Sequence, residues 1–309
     1  MRCYCELEDS EKNVMSSILV TGGCGYIGSR LIPKLLADGH KVKVVDTQWF
    51  GNGYLPTDNE NLKIIKGDVR DTLIEGDVVI WLSSVSNNAM YPISPTTHDV
   101  NTYIDRDPDC RFIYASSVAV LDPTSDYAKD KLECEAKLKD TGAIIVRSAS
   151  VVGYSPNMRF DTTINKMTHD AYKTGVITVN GGQQKRTHIH IDDICDFYRA
   201  CITKGEEGKT YTLWKMSETI LFAAEMVAAA FDSVGKKVSI DVKNRTDDRS
   251  YSLPWRGDDV FNEWFGEERS RDRGHRPVSN AVAGMIQRFD SGMWKDTTDE
   301  QMWRINRGI

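Results

Sequence analysis

The sequence predicts a doubly wound α/β fold, a parallel sheet covered by helices on both faces, and three observations carry that prediction. From Ile18 to about Val152 short apolar runs of strand type alternate with segments of helical spacing. The first of these runs leads into Thr21-Gly22-Gly23-Cys24-Gly25-Tyr26-Ile27-Gly28 and then into a helical pattern from Ser29 to Leu36. The second run ends on an acid, Asp46, eighteen residues after Gly28.

Taken in order, the expected strands are 18–21, 42–46, 62–66, 78–82, 112–115 and 143–147. Pro33 falls inside the first helix, where it removes a backbone bond and predicts a slight kink; Gly39 ends that helix. Beyond Val152 the strict alternation lapses. Residues 162–173 read as a helix, 189–202 as a helix returning to the first domain, 209–214 as a short strand, and 219–231 as an apolar helix capped by Thr219. Residues 245–309 are rich in Trp, Arg and Asp and less periodic. The expected division is a polar leader at 1–14, a Rossmann domain at 15–153 with a returning segment near 188–216, and a smaller, mostly C-terminal α/β substrate domain at 154–309.

Strand, glycine turn and helix follow one another in the order a dinucleotide site needs. Gly22 allows the tight turn, Gly25 lets the backbone approach a pyrophosphate, and Gly28 lets the helix pack on the strand. Tyr26 and Ile27 then stand at the helix N-terminus, whose N–H groups attract an anion. The Asp46 carboxylate can accept hydrogen bonds from an adenosine ribose, which selects NAD and disfavours the 2′-phosphate of NADP.

Gly67-Asp68-Val69-Arg70-Asp71 follows the third strand, where Asp68 either reaches an adenine amino group or caps the next helix. Leu82 and Ser83 close the fourth strand on the same ligand-binding edge. Phe112-Ile113-Tyr114-Ala115-Ser116-Ser117 is a strand ending in hydroxyls at that edge, and Tyr127 with Lys131 stand one helical turn apart shortly afterwards. An unperturbed tyrosine has a pKa near 10, so a working phenolate at neutral pH takes roughly 4 kcal/mol of stabilisation, to which an adjacent ammonium contributes.

Composition bounds the partners. The 309 residues are 40% hydrophobic and 27% charged, with no apolar run of membrane-spanning length and no visible signal peptide, so a cytoplasmic protein is expected. Seven cysteines lack metal-type pairing, and reduced thiols with no metal are expected. A net charge of −6 disfavours nucleic acid and means that an anionic substrate needs local arginines; Arg159, Arg186 and Arg249 are the candidates, against the alternative of ordinary solvated side chains.

These motifs together resemble the extended short-chain dehydrogenase/reductase superfamily, and within it the NAD-dependent epimerase/dehydratase family of nucleotide-sugar enzymes. The resemblance rests on Thr21 to Gly28, on Gly67 to Asp71, on Ser117, Tyr127 and Lys131, and on Arg186-Thr187-His188-Ile189-His190-Ile191-Asp192-Asp193. It extends to Tyr154 to Asp161 and to Asp248-Arg249-Ser250-Tyr251, which look like substrate-domain signatures. It implies Ser117, Tyr127 and Lys131 as catalytic residues. Gly22, Gly25, Tyr26, Ile27, Gly28, Asp46, Asp68, Val69, Leu82, Ser83 and Lys131 would hold NAD. Ser86, Asn87, Ser150, Arg159, Arg186 and Arg249 would meet a nucleotide-diphosphate sugar, although Ser86 and Asn87 are equally explained as turn formers. His190 and Asp193 take structural roles on this view.

The sequence also departs from the family. Sugar 4,6-dehydratases usually carry an acidic pair after the catalytic hydroxyl, where this chain has Val118 and Ala119. Ser150 stands where many relatives have Asn. The expected activity is therefore epimerisation, at C4, through a transient keto-sugar. The alternatives are a 4-ketoreductase, a 4,6-dehydratase and a regulatory NAD-binding protein without catalysis. Only ten residues, including Asp105, Arg106, Asp107, Pro108 and Asp109, separate Asn101 from Phe112, too few and too polar for the long helix of the family's four-helix dimer. A monomer or a non-standard homodimer is expected.

Overall fold

Seven strands form one all-parallel sheet: β1 (Ser17–Thr21), β2 (Lys41–Asp46), β3 (Leu62–Lys66), β4 (Val78–Trp81), β5 (Arg111–Ser117), β6 (Ile144–Ser148) and β10 (Thr210–Leu213). Their spatial order is β10-β6-β5-β4-β1-β2-β3. Chain order therefore reverses between β1 and β4, and a crevice opens there at the carboxyl ends, where ligands of such sheets bind. The computed structural model describes residues 15–49, 51–52, 54–72, 75–84, 100, 110–244, 260–261, 263–265 and 276–292. The leader at 1–14 and the segment after Asn101 lie outside them.

Side chains on β1 alternate between two cores. Ile18 and Val20 join the larger one with Leu31, Ile32 and Leu35 of α1 (Gly28–Ala37); Leu19 joins Val79, Trp81, Phe112 and Tyr114 on the opposite face. Cys134 and Leu138 of α2 (Asp126–Leu138) cover that second face. Each fully buried aliphatic side chain contributes about 1.5–3 kcal/mol, so both faces favour one register strongly. α1 continues through Pro33, and Gly39 ends it at φ +87°.

The larger core continues into the remaining elements. β7 (Ser150–Val152), β9 (Lys185–His190) and β11 (Met216–Thr219) make a three-stranded sheet, with β9 central, parallel to β7 and antiparallel to β11. β8 (Val176–Asn180) pairs in parallel with β12 (Ser239–Lys243). α3 (Thr163–Thr174), α5 (Ile220–Asp232) and α6 (Val278–Asp290) pack around them, while α4 (Ile191–Cys201) lies against α1. Two sequence expectations change here. The helix expected from Ile189 starts only at Ile191, because Ile189 and His190 complete β9 and the His190 ring caps α4 by accepting the Asp192 N–H at 3.0 Å. The less periodic C-terminal region contains α6, with Val278, Ala281, Val282, Met285, Ile286 and Phe289 on its buried face. The Thr219 cap of α5 is as expected, its hydroxyl accepting the Phe222 N–H at 3.1 Å.

An ion network ties α1 to α4. Arg30 Nε meets Asp192 at 2.8 Å, Lys34 Nζ reaches Asp192 at 3.0 Å and Asp196 at 2.8 Å, and Arg199 pairs with Asp38. Burial alone would raise the Asp192 carboxyl, but the hydrogen bonds and charges of Arg30 and Lys34 outweigh it and hold the group well below the usual carboxylate range. A carboxyl depressed in the folded state stabilises the fold above its unfolded pKa, near 3.9, and loses that stabilisation as pH falls toward the folded value. Asp192→Asn is expected to lower unfolding free energy by roughly 1–3 kcal/mol at pH 7, with the difference from wild type shrinking below about pH 4. Thermal unfolding of both proteins from pH 7 to pH 2 checks this; a deficit independent of pH would contradict it.

Candidate active site

The glycine loop is seated in the crevice by steric necessity. Gly22 has φ +66°, and a Cβ there would lie 2.8 Å from the Ser83 nitrogen at the end of β4. Leu82 N–H donates to the Thr21 carbonyl at 3.1 Å and Ser83 N–H to Thr21 Oγ1 at 3.3 Å, which fixes the two strand ends together. At Gly28 any side chain would collide with the Gly23 carbonyl, so the helix can start this close to the strand only with glycine. Among the described residues no backbone carbonyl takes the N–H groups of Tyr26 and Ile27, which stand at the positive end of α1.

Asp46 closes this loop from the next strand, its Oδ2 accepting the Cys24 N–H at 3.0 Å and its Oδ1 the Gln48 N–H at 2.7 Å. Burial, reinforced by the Asp46 charge, pushes the Cys24 thiol up to about 12, so it stays protonated and unreactive. Asp68 stands at the end of β3 as expected. Arg70 engages both of its oxygens, at 2.8 and 2.5 Å, and this pairing draws its pKa down. Val69 beside it is buried.

Buried side chains from beyond β7, among them Ser155 and Asn157 of the stretch read as a substrate-domain signature, hold the same loop. Asn157 Nδ2 donates to the Cys24 carbonyl at 2.6 Å, and Ser155 Oγ donates to the Tyr26 carbonyl at 2.7 Å. The Tyr26 ring turns away from the crevice, donating its hydroxyl to the Gly153 carbonyl at 2.6 Å and receiving Asn165 Nδ2 at 3.1 Å.

The second part of the site is the junction of β5 and α2. Ser117 ends β5, and its Oγ accepts the Ala119 N–H at 3.2 Å, leaving the hydroxyl proton to donate elsewhere. A turn of 3-10 helix, Val118–Leu121, comes next, and Ser125 then caps α2 by accepting the Ala128 N–H at 3.2 Å. Tyr127 thus sits in the first turn, half-buried. Lys131, one turn on and 2% exposed, donates to the Ala115 carbonyl at 2.7 Å and lies 4.6 Å over the Tyr114 ring. One turn further, Glu135 accepts from Ser116 Oγ at 2.5 Å and from Arg147 Nε and Nη2 at 2.9 and 2.5 Å. The four-residue spacing from Tyr127 through Lys131 to Glu135 could have revealed the third member.

Among the expected substrate contacts, Arg159 has its fork held by Asp161 at 2.7 and 3.0 Å. Arg186 and Ser150 lie on the neighbouring strands β9 and β7. Ser86, Asn87 and Arg249 fall outside the described residues. Asp193 accepts the backbone N–H and the Nη1 of Arg276, each at 2.7 Å, which closes the C-terminal segment onto α4. Among the described residues no three metal-ligating side chains come together, and no helix is long and apolar enough to cross a membrane.

A glycine cradle without room for side chains, two N–H groups at the start of α1 and a carboxylate at the end of β2 suit a dinucleotide. The family model of the NAD dependent epimerase/dehydratase family matches residues 18–215. The chain belongs to that family.

UDP-glucuronic acid decarboxylase 4 of Arabidopsis thaliana is 26% identical over 276 residues, 77% of this chain and 61% of that one. UDP-glucuronic acid decarboxylase 1 of Danio rerio is 40% identical over 90 residues, 28% of this chain and 21% of that one. The chain thus spans less than two thirds of either relative. A UDP-N-acetylglucosamine 4-epimerase from Methanobrevibacter ruminantium M1 superposes with a TM-score of 0.69 at 21% identity, covering 90% of this chain and 99% of that one. The NDP-hexosamine 5,6-dehydratase TunA gives 0.71 at 18% identity, over 92% and 99%. These structures share the Rossmann-type α/β fold, and the family is NAD-dependent.

Because the Asp46 carboxylate faces the loop, NAD is expected to bind at least tenfold more tightly than NADP, a gap of about 1.4 kcal/mol. Calorimetric titration with each cofactor measures this, and Asp46→Ser is expected to narrow the ratio. Equal affinities in the wild-type protein would refute the assignment of Asp46.

Proposed function

We propose that this family member epimerises a nucleotide-diphosphate sugar, at C4, through a keto-sugar that never leaves the site. The juxtaposition of Ser117, Tyr127 and Lys131 at the crevice carries the reading, and the names of the relatives point to UDP as the nucleotide. Gly22, Gly25, Gly28 and the N–H groups of Tyr26 and Ile27 would hold the pyrophosphate of NAD. Asp46 would take the adenosine ribose, Asp68 and Val69 would flank the adenine, and Leu82 and Ser83 would border the nicotinamide half. When bound, NAD supplies an acceptor that takes a hydride and later returns it, so the cofactor is unchanged over a turnover.

The residues of the chain handle the proton and the charge. Tyr127 as phenolate accepts the proton of the sugar hydroxyl and returns it after the keto-sugar has turned its other face. Ser117 donates to the oxygen on which charge develops. Lys131 spends one of its three N–H bonds on the Ala115 carbonyl, which leaves two for the nicotinamide ribose and for holding positive charge beside the phenol. Ser150, Arg159 and Arg186, with Ser86, Asn87 and Arg249, are the proposed contacts for the sugar and its diphosphate, the three arginines being carried by the chain beyond Gly153.

A second reading is decarboxylation of a UDP-uronic acid, favoured by the likeness to UDP-glucuronic acid decarboxylases. Incubation with UDP-, GDP-, CDP- and dTDP-sugars and with UDP-glucuronate distinguishes the two. A C4 epimer with no net change in cofactor is expected. Release of carbon dioxide would establish the second reading, and net reduction of a keto-sugar would overturn both. Tyr127→Phe is expected to lower turnover by at least 10³-fold while leaving NAD affinity within about twofold, since only the proton acceptor is lost. Appreciable activity in that variant would mean that another base carries the chemistry.

For assembly we propose a monomer, or a dimer through a surface other than α2. The outer side of that helix exposes Lys129, Leu132, Glu133 and Ala136, with a single large apolar side chain among them. Stable interfaces bury upwards of about 1,000 Å² around an apolar centre. Light scattering is expected to give the monomer mass at micromolar concentration or a dimer unaffected by Leu132→Glu. A tight dimer abolished by that substitution would refute the proposal.

A further inference from the structure

β9 is the central strand of the three-stranded sheet, so its side chains alternate strictly: Arg186, His188 and His190 share one face, while Thr187 and Ile189 share the other. The strand register sets Ser150 of β7 and Met216 of β11 directly beside His188. One face of this sheet therefore presents Ser150, His188 and Arg186 together, the first and last being proposed diphosphate contacts.

His188 is 1% exposed, and among the described residues neither Nδ1 nor Nε2 has a hydrogen-bond partner. The other buried histidine of this strand differs, since His190 Nδ1 accepts the Asp192 N–H at 3.0 Å. A neutral imidazole has one donor and one acceptor, and leaving both unmet in a buried place costs stability that a phenylalanine there would not. Protonation offers no escape, because burial and then the Arg186 guanidinium push the ring down to about 3. The polar ring is thus a local destabilisation on the same face as two residues read as ligand contacts. Stability given up inside a site is stability that a ligand can restore.

We infer that His188 recognises the nucleoside diphosphate as a neutral donor and acceptor: its N–H donates to a diphosphate oxygen beside Arg186, and its bare nitrogen accepts from a neighbouring sugar hydroxyl. This rests on the reading of the site as one for nucleotide sugars. A neutral donor adds direction at the diphosphate without a further cation, while Arg186 supplies the charge. It makes His188 a binding residue and gives it no part in moving the reacting proton.

The test uses the full chain loaded with NAD, in wild-type, His188→Phe and His188→Gln forms. UDP, dTDP, GDP and CDP are titrated calorimetrically, and thermal unfolding is followed without nucleotide. The wild type is expected to bind at least one of the four. His188→Phe is expected to bind that nucleotide at least tenfold more weakly, about 1.4 kcal/mol, with NAD affinity unchanged and an unfolding midpoint equal to or above the wild type. His188→Gln keeps a donor and an acceptor and is expected to stay within about threefold. Wild-type affinity in His188→Phe would overturn the inference and leave the proposed function standing. A lowered midpoint with NAD and nucleotide both weakened, unrescued by glutamine, would show a packing role and overturn it as well. A wild-type protein that binds none of the four would overturn the reading of the site and the inference with it.

Discussion

The buried carboxylate of Glu135 is the constraint on which the geometry of the β5–α2 junction depends. It is 6% exposed and receives three donors from two strands, Ser116 at the end of β5 and the Arg147 fork on β6. Burying an ion pair is no gain in itself, because desolvation offsets the attraction. Removing one partner alone, however, leaves a buried charge and typically costs about 3–5 kcal/mol, so α2 is held in this position and no neighbouring one. The same helix face carries Lys131, whose ammonium grips Ala115, and Tyr127. Adjacent residues of β5, Ala115, Ser116 and Ser117, thereby set the height of the ammonium, the height of the helix and the place of the Ser117 hydroxyl.

A second set of buried hydrogen bonds does for the glycine loop what Glu135 does for the helix. The loop gives its carbonyls of Cys24 and Tyr26 to Asn157 and Ser155 and, through the Tyr26 hydroxyl, reaches Gly153 and Asn165. Glycine supplies the freedom that close approach needs, and freedom has an entropic cost. Partners from the far side of β7 restrict the loop to one conformation, so its N–H groups are oriented before any anion arrives. Loop and substrate-side chain are thus coupled directly: residues 153–165 hold the loop at one end and carry Arg159 in the middle.

How much of the fold is legible in the sequence depends on how local each signal is. The inner strands β1, β4 and β6 of the large sheet are buried on both faces and read as apolar runs, and Tyr127 and Lys131 show their relation in spacing alone. β11 is half-buried along its whole length and β12 is mostly exposed, so pairing with β9 and β8, and no pattern of their own, makes them strands. α6 has a full helical stripe from Val278 to Phe289, hidden by the Arg- and Asp-rich residues before it. Asn157 acts on Cys24 from 133 residues away, and nothing in Tyr154-Ser155-Pro156-Asn157 announces that partner. Sequence alone leaves Asp68 open between an adenine contact and a turn residue, and the folded chain engages it with Arg70, two residues on.

The choice among the reactions of this family turns on the residues directly after Ser117. Every member that oxidises a sugar hydroxyl needs a base, an oxyanion donor and a cation, and those three groups do not distinguish one outcome from another. Elimination across C5 and C6 needs more, because a proton must leave carbon and another must reach the departing oxygen. In this chain the residues placed to supply such groups form the 3-10 turn Val118–Leu121, whose Val118 and Val120 are 6% and 5% exposed and pack inward. An apolar turn there would itself offer a keto-sugar no acid or base at C5. On the proposed function, the paths that need no acid or base from this turn are return of the hydride to either face and loss of a carboxylate that the ketone has already activated. Among the described residues, this apolar turn is thus the feature that weighs against the dehydratase reading and in favour of the proposed epimerisation.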